Sequence, residues 1–161
     1  MNLMNLMNSK TPITLIFRNL TIATLVIVGT FSQMGCSKSS ASEADQMISY
    51  AKKNNITYVS DPSGVLYQII TAGNSNKPRL TSTITVTYTG KLMNDKTFDS
   101  GTITYPLNNL IPGWQVALPL IGEGGQIKIL IPSTLGYGSR GSGEIPGNAP
   151  LYFDVSLSKV K

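Results

Sequence analysis

Apolar and polar positions alternate with period two along four stretches of the chain. They lie near residues 66–71, 83–89, 126–131 and 151–157, and each is rich in β-branched and aromatic side chains. In three of them one face is cleanly apolar: Ile84, Val86 and Tyr88; Ile127, Ile129 and Ile131; Leu151, Phe153, Val155 and Leu157. Such alternation predicts antiparallel strands with one face on a core and the other in water. Turns separate them: Gly122-Glu123-Gly124-Gly125, the glycine-rich stretch 136–143, and Ile145-Pro146-Gly147-Asn148.

Helical spacing occurs twice. Ala44, Met47, Ile48 and Ala51 recur at helical intervals, Ser42 with Asp45 three residues later makes a capping-box-like start, and Asn54-Asn55 offers a stop. Trp114 and Leu118 stand four apart with Pro119 just after, little more than one turn, so packing rather than propensity must hold that helix. The simplest architecture is α+β: an antiparallel sheet with one apolar face and one short, aromatic-bearing helix laid on it, with the N-terminal helix outside.

The amino-terminal 35 residues carry Lys10 and Arg18 and no acid, ahead of the apolar run NLTIATLVIVGTFSQM at 19–34. Basic region, apolar region and small-residue exit are the order of a secretory signal. The strongest apolar stretch covers only residues 20–31, short of the roughly 20 that a spanning helix needs. Next come Gln33-Met34-Gly35-Cys36 and then Ser-Lys-Ser-Ser-Ala-Ser. This resembles the lipobox of bacterial lipoproteins, although Gln33 stands where that motif usually has an aliphatic residue. The resemblance implies that Cys36 is acylated and becomes the first mature residue, and acyl chains hold a protein stably on a bilayer. The other reading is an uncleaved anchor followed by an incidental thiol. The organisation expected is a lipoprotein-type signal peptide at 1–35, a flexible tether at 36–42, a short helical segment at 43–59 and a globular domain at 60–161 with its motif core at 83–161. The protein is then expected in the cell envelope, membrane-anchored, with its domain facing the periplasm.

A length of 161 residues allows one core of ordinary size, and about 125 residues without the signal still suffice. Thirteen basic and eight acidic side chains against 41% hydrophobic residues exclude disorder driven by net charge. The basic residues at 52–53, 77–79 and 159–161 are scattered, which speaks against a nucleic-acid partner. There is no histidine and one cysteine. Ser-His-Asp and Cys-His hydrolysis, His-ligated metal sites and imidazole proton shuttles are thereby removed, and no metal or cofactor is expected.

Eight short motifs follow one another in the second half: Val86-Thr87-Tyr88-Thr89-Gly90, Thr97-Phe98-Asp99-Ser100, Tyr105-Pro106-Leu107, Leu110-Ile111-Pro112-Gly113-Trp114, Ile131-Pro132, Leu135-Gly136-Tyr137-Gly138, Ile145-Pro146 and Leu151-Tyr152-Phe153-Asp154-Val155. None is specific alone. In this order and spacing they closely resemble the FKBP-type peptidyl-prolyl cis-trans isomerases, over about residues 60–161. The resemblance implies a sheet curled around one short helix, with a pocket between them. Trp114 would form the pocket floor; Tyr88, Phe98, Leu110, Ile111, Tyr137 and Phe153 its walls. It also implies that the Ile111 backbone N–H and the Tyr137 hydroxyl bond substrate carbonyls, that Asp99 is the carboxylate at the pocket edge, that Ile103 and Tyr105 add to the substrate-binding wall, and that Ile145 sits in a loop closing over the site. Proline-containing polypeptides would be the substrates, and the protein is expected to be a monomer.

Taken singly, the same residues have plainer readings. Trp114, Tyr88 and Phe153 read as core, Tyr137 as a loop anchor and Asp99-Ser100-Gly101 as a turn. Three departures stand out. Only residues 100–104 join Asp99 to Tyr105, with no Arg or Lys to pair with Asp99; Ile103 and Tyr105 stand where relatives often place Phe; and Glu144 puts a charge in a loop that is commonly apolar. They motivate an alternative function, an FKBP-fold binding or chaperone module of the cell envelope with weak or no isomerase activity.

Overall fold

A computed structural model describes residues 41–161; the signal-like segment at 1–35, Cys36 and most of the tether lie outside the described residues. Helix α1 spans Glu43–Lys53. Ser42 caps it, its Oγ accepting the Asp45 N–H at 3.2 Å while its hydroxyl donates to the Asp45 carboxylate at 2.7 Å. Glu43 and Asp45 stand at the positive end of the helix and Lys52 and Lys53 at the negative end. The helix closes at Asn54, whose N–H donates to the Tyr50 carbonyl at 3.0 Å.

Six strands follow: β1 Val59–Ser60, β2 Leu66–Thr71, β3 Thr83–Leu92, β4 Thr97–Pro106, β5 Gln126–Ile131 and β6 Leu151–Val160. They form one antiparallel sheet in the order β1-β2-β5-β6-β3-β4. Helix α2, Pro112–Ala117, crosses its core face, opening on a proline at a position where the missing N–H costs nothing. The approach is close: a Cβ on Gly113 would overlap the Ile131 side chain. Against α2 lie Ile84, Val86, Ile127, Ile129, Ile131, Val155 and Leu157, all at most 1% exposed.

Two features differ from the hydrophobic pattern. The segment at 97–106 is a full strand, so Asp99-Ser100-Gly101 is extended backbone paired with Tyr88, Thr89 and Gly90 rather than a turn. It escapes a period-two reading because β4 is an edge strand, exposed at most positions and rich in Thr, Ser and Gly. The sheet also has two covered faces rather than one. Met47, Tyr50, Ala51 and Ile56 pack on Leu66, Leu130 and Tyr152, residues that point away from α2, and the Tyr50 and Tyr152 rings lie 5.1 Å apart. Three apolar residues spread over three strands are too sparse to mark a face in the sequence, although together they seat a whole helix. Gly113→Ala is expected to lower stability by about 1–3 kcal/mol through overpacking, read as a lower Tm; a Tm equal to the parent's would mean that α2 and β5 separate freely.

Candidate active site

The core face ends in a cavity of about 80 Å³, far below the roughly 300–1,000 Å³ of drug-sized sites and on the scale of one small ring. Trp114, on the second residue after Pro112, lies at its base and is 3% exposed. Its indole N–H is buried with no acceptor among the described residues, a cost the fold carries at this point. Phe153 and Tyr88, on neighbouring strands β6 and β3, both meet Trp114 with ring centroids 5.2 Å apart and nearly perpendicular planes. This edge-to-face arrangement favours aromatic pairs and fixes the three rings relative to one another.

The opposite wall comes from the loop entering α2, where Leu110 and Ile111 line the cavity. The Gln115 side-chain amide donates to the Leu110 carbonyl at 2.7 Å and to the Asn108 carbonyl at 3.2 Å, pinning that loop to the helix it introduces. Sequence reasoning overlooked Gln115; its one available signal is a polar residue within the short apolar helix PGWQVA. The Ile111 N–H has no acceptor among the described residues, so a donor stands free at the cavity wall. Ile103 from β4 and Tyr137 from the 136–143 loop complete the lining.

At the rim the Tyr88 hydroxyl donates to Asp99 Oδ2 at 2.6 Å. Burial, followed by the Asp99 hydrogen bond and charge, pushes the Tyr88 phenol up to about 12. Burial and the same carboxylate also raise Tyr137. Both phenols therefore remain donors at neutral pH. The site thus offers an apolar, aromatic slot bordered by hydrogen-bond donors and one carboxylate.

The family model for "FKBP-type peptidyl-prolyl cis-trans isomerase" matches residues 74–158, more than half of the chain. The chain belongs to the FKBP-type isomerase family. It is 40% identical over 116 residues to the FKBP-type peptidyl-prolyl cis-trans isomerase FkpA of Aeromonas hydrophila, covering 69% of this chain and 42% of that protein. It is 38% identical over 117 residues to the outer membrane protein MIP of Legionella longbeachae, covering 69% and 50%. The crystal structure of FkpA from Escherichia coli superposes with a TM-score of 0.68 at 35% identity, over 74% of this chain and 59% of that one. The chain spans about half or less of the length of these two curated relatives.

Within this FKBP fold the residues singled out from the sequence separate into three groups. Tyr88, Asp99, Ile103, Leu110, Ile111, Trp114, Tyr137 and Phe153 come together around the cavity. Phe98 does not line it: its ring packs edge-on behind Phe153 at 5.6 Å, over Gly90, where a Cβ would stand 2.6 Å from it. Ile145 is 7% exposed and, with Phe98, borders a neighbouring hollow under the 142–145 turn. Tyr105 also lies outside the cavity. It pairs with Ile84 near the far end of β4, about 7 Å beyond Ile103 at the rise of a strand, and is half exposed.

Of the departures, Glu144 meets Lys96 of the β3–β4 turn at 3.1 Å, an exposed ion pair of the kind that contributes little. Asp99 has no cationic partner among the described residues; Tyr88 restrains it instead. Because the folded Tyr88 keeps its proton to about pH 12 while an unfolded tyrosine loses it near 10, stability should hold up to about pH 10 and fall between about 10 and 12. Urea midpoints measured at pH 8, 10 and 11 should show that fall, and Tyr88→Phe should make it shallower; an equal fall in both proteins would remove Tyr88 from the effect.

Proposed function

We propose that this chain accelerates cis-trans isomerisation of X-Pro bonds in exported proteins. The observation that carries the reading is the ring-sized cavity floored by Trp114 and flanked by Tyr88 and Phe153. Amide resonance sets a rotation barrier of about 18–20 kcal/mol, and the unaided exchange takes tens to hundreds of seconds. A dry aromatic slot disfavours the charge-separated planar amide and accepts the twisted one, whose polarity is lower. The free Ile111 N–H and the Tyr137 hydroxyl hold the flanking carbonyls, fixing the peptide in a bent shape that suits the twist. Asp99, restrained by Tyr88, borders the slot on its β4 side. No bond is made or broken and no proton moves, which is compatible with a chain that has no histidine. A reduction of about 5.4 kcal/mol in the barrier corresponds to roughly 10⁴-fold acceleration.

The location is part of the same proposal: export through the segment at 1–35 and anchoring through lipid on Cys36, with the domain acting in the envelope as a monomer. The likeness to an outer membrane protein supports an envelope setting. The binding-only alternative drew on Glu144 and on the short connection after Asp99. Glu144 is engaged by Lys96, and the connection is regular strand.

In a proline-peptide isomerisation assay the chain is expected to accelerate exchange well above background, and Asp99→Leu to lose about tenfold in kcat/KM, equivalent to about 1.4 kcal/mol. A folded protein, by its Trp114 fluorescence, with no rate above background would defeat the isomerase reading and favour the binding module. Cys36→Ala should abolish acyl labelling and release the protein from membranes. Unchanged fractionation with no label on the parent protein would discard the lipid anchor.

A further inference from the structure

Ser133 is 2% exposed, and its N–H and hydroxyl both donate to one side chain ninety residues earlier, the carboxylate of Glu43. The distances are 2.6 Å from the backbone nitrogen to Oε2 and 2.7 Å from the hydroxyl to Oε1. Charge-assisted bonds to both oxygens of a carboxylate are among the stronger and more directional contacts available to a loop. On its other side the Ser133 carbonyl accepts the N–H groups of Gly136, at 2.9 Å, and Gly138, at 2.8 Å. Those two residues bracket Tyr137, whose side chain lines the cavity. The Tyr137 carbonyl in turn accepts from Gly141 at 3.2 Å, and Gly138 accepts from Asn148 at 2.9 Å, so the rest of the loop is hung on the same frame.

The 136–143 stretch supplies little rigidity of its own. Four of its eight residues are glycine, and Gly138, Gly141 and Gly143 have positive φ. A loop of that composition holds a hydroxyl in one place only when something outside it fixes the backbone. Glu43 is available because Ser42 and Asp45 have already satisfied the helix start, and α1 itself is seated on the sheet by Met47, Tyr50 and Ala51.

We infer that Glu43 is a positioning residue for the isomerase site: through Ser133 it sets the backbone that aims the Tyr137 hydroxyl into the cavity. The inference rests on the isomerase reading of that cavity. It makes the helix ahead of the FKBP domain part of the site's support.

The test compares Glu43→Ala, Glu43→Gln and, as a destabilised control in the same layer, Ile56→Val. Glu43→Ala should speed amide hydrogen exchange at Gly136 and Gly138 while leaving the β5 and β6 amides protected. It should lower kcat/KM roughly two- to thirty-fold, mostly through KM. Glu43→Gln keeps one acceptor oxygen and should recover part of both effects, and Ile56→Val should produce neither. In a Tyr137→Phe background Glu43→Ala should add little, because the two act through one hydroxyl. Unchanged exchange at Gly136 and Gly138, or losses that simply add in the double variant, would overturn the inference. A parent protein with no isomerase activity would refute the isomerase reading and with it the catalytic half of this inference, whereas the exchange measurement still decides whether Glu43 holds the loop.

Discussion

The edge-to-face contact between Phe153 and Trp114 is the point at which the core and the site become one object. Phe153 lies mid-strand in β6, between the strands that carry the core and the strand that carries Tyr88, and it touches Trp114, Tyr88 and Phe98 at once. Its position is fixed by the two-residue period of β6: Leu151, Phe153, Val155 and Leu157 turn to the same side, and Tyr152 turns to the other. The cavity is therefore not carved into the surface of a finished domain. It is where the ring packing of the core stops short of closing.

That origin explains which parts were legible in the sequence. Strands β3, β5 and β6 are interior or doubly paired, so their alternation is strong, and their residues fall on the side of the sheet that the pattern predicts. The eight ordered motifs carried the cavity, because they mark strand ends and loops that must meet if the strands pair. Edge and cross-layer features left weaker traces. Strand β4 has one neighbour and so has little reason to alternate. Phe98 and Tyr105 belong to it and lie off the cavity for different reasons: Phe98 stands at the one register shift and packs behind Phe153, while Tyr105 follows the regular rise of the strand past Ile103. Leu66, Leu130 and Tyr152 gave no visible stripe because the helix they receive is separated from them in the chain.

Polar contacts at the site were the least legible of all. The Glu43–Ser133 and Lys96–Glu144 pairs join residues ninety and forty-eight positions apart, and no local rule relates such partners. Gln115 is local to the residues it holds, yet its function depends on which way one turn of helix faces. The electrostatic character of the rim likewise follows from neighbours rather than composition. Asp99 meets a phenol instead of a guanidinium, so the carboxylate is restrained by a single short hydrogen bond.

The uninterrupted run of β4 has a consequence beyond the cavity. Ten residues of extended chain end the sheet there, with Asp99 the only charged side chain among them and no proline before Pro106. Edge strands are commonly guarded by lysines, bulges or interposed loops, because bare backbone donors and acceptors invite another chain to pair. Here the register shifts once, beside Phe98, and the strand is regular from Asp99 onward. From Asp99 to Tyr105 the outer side of β4 carries no lysine, proline or further register shift, so the strand that shapes one wall of the site also ends the sheet as an open edge of backbone donors and acceptors.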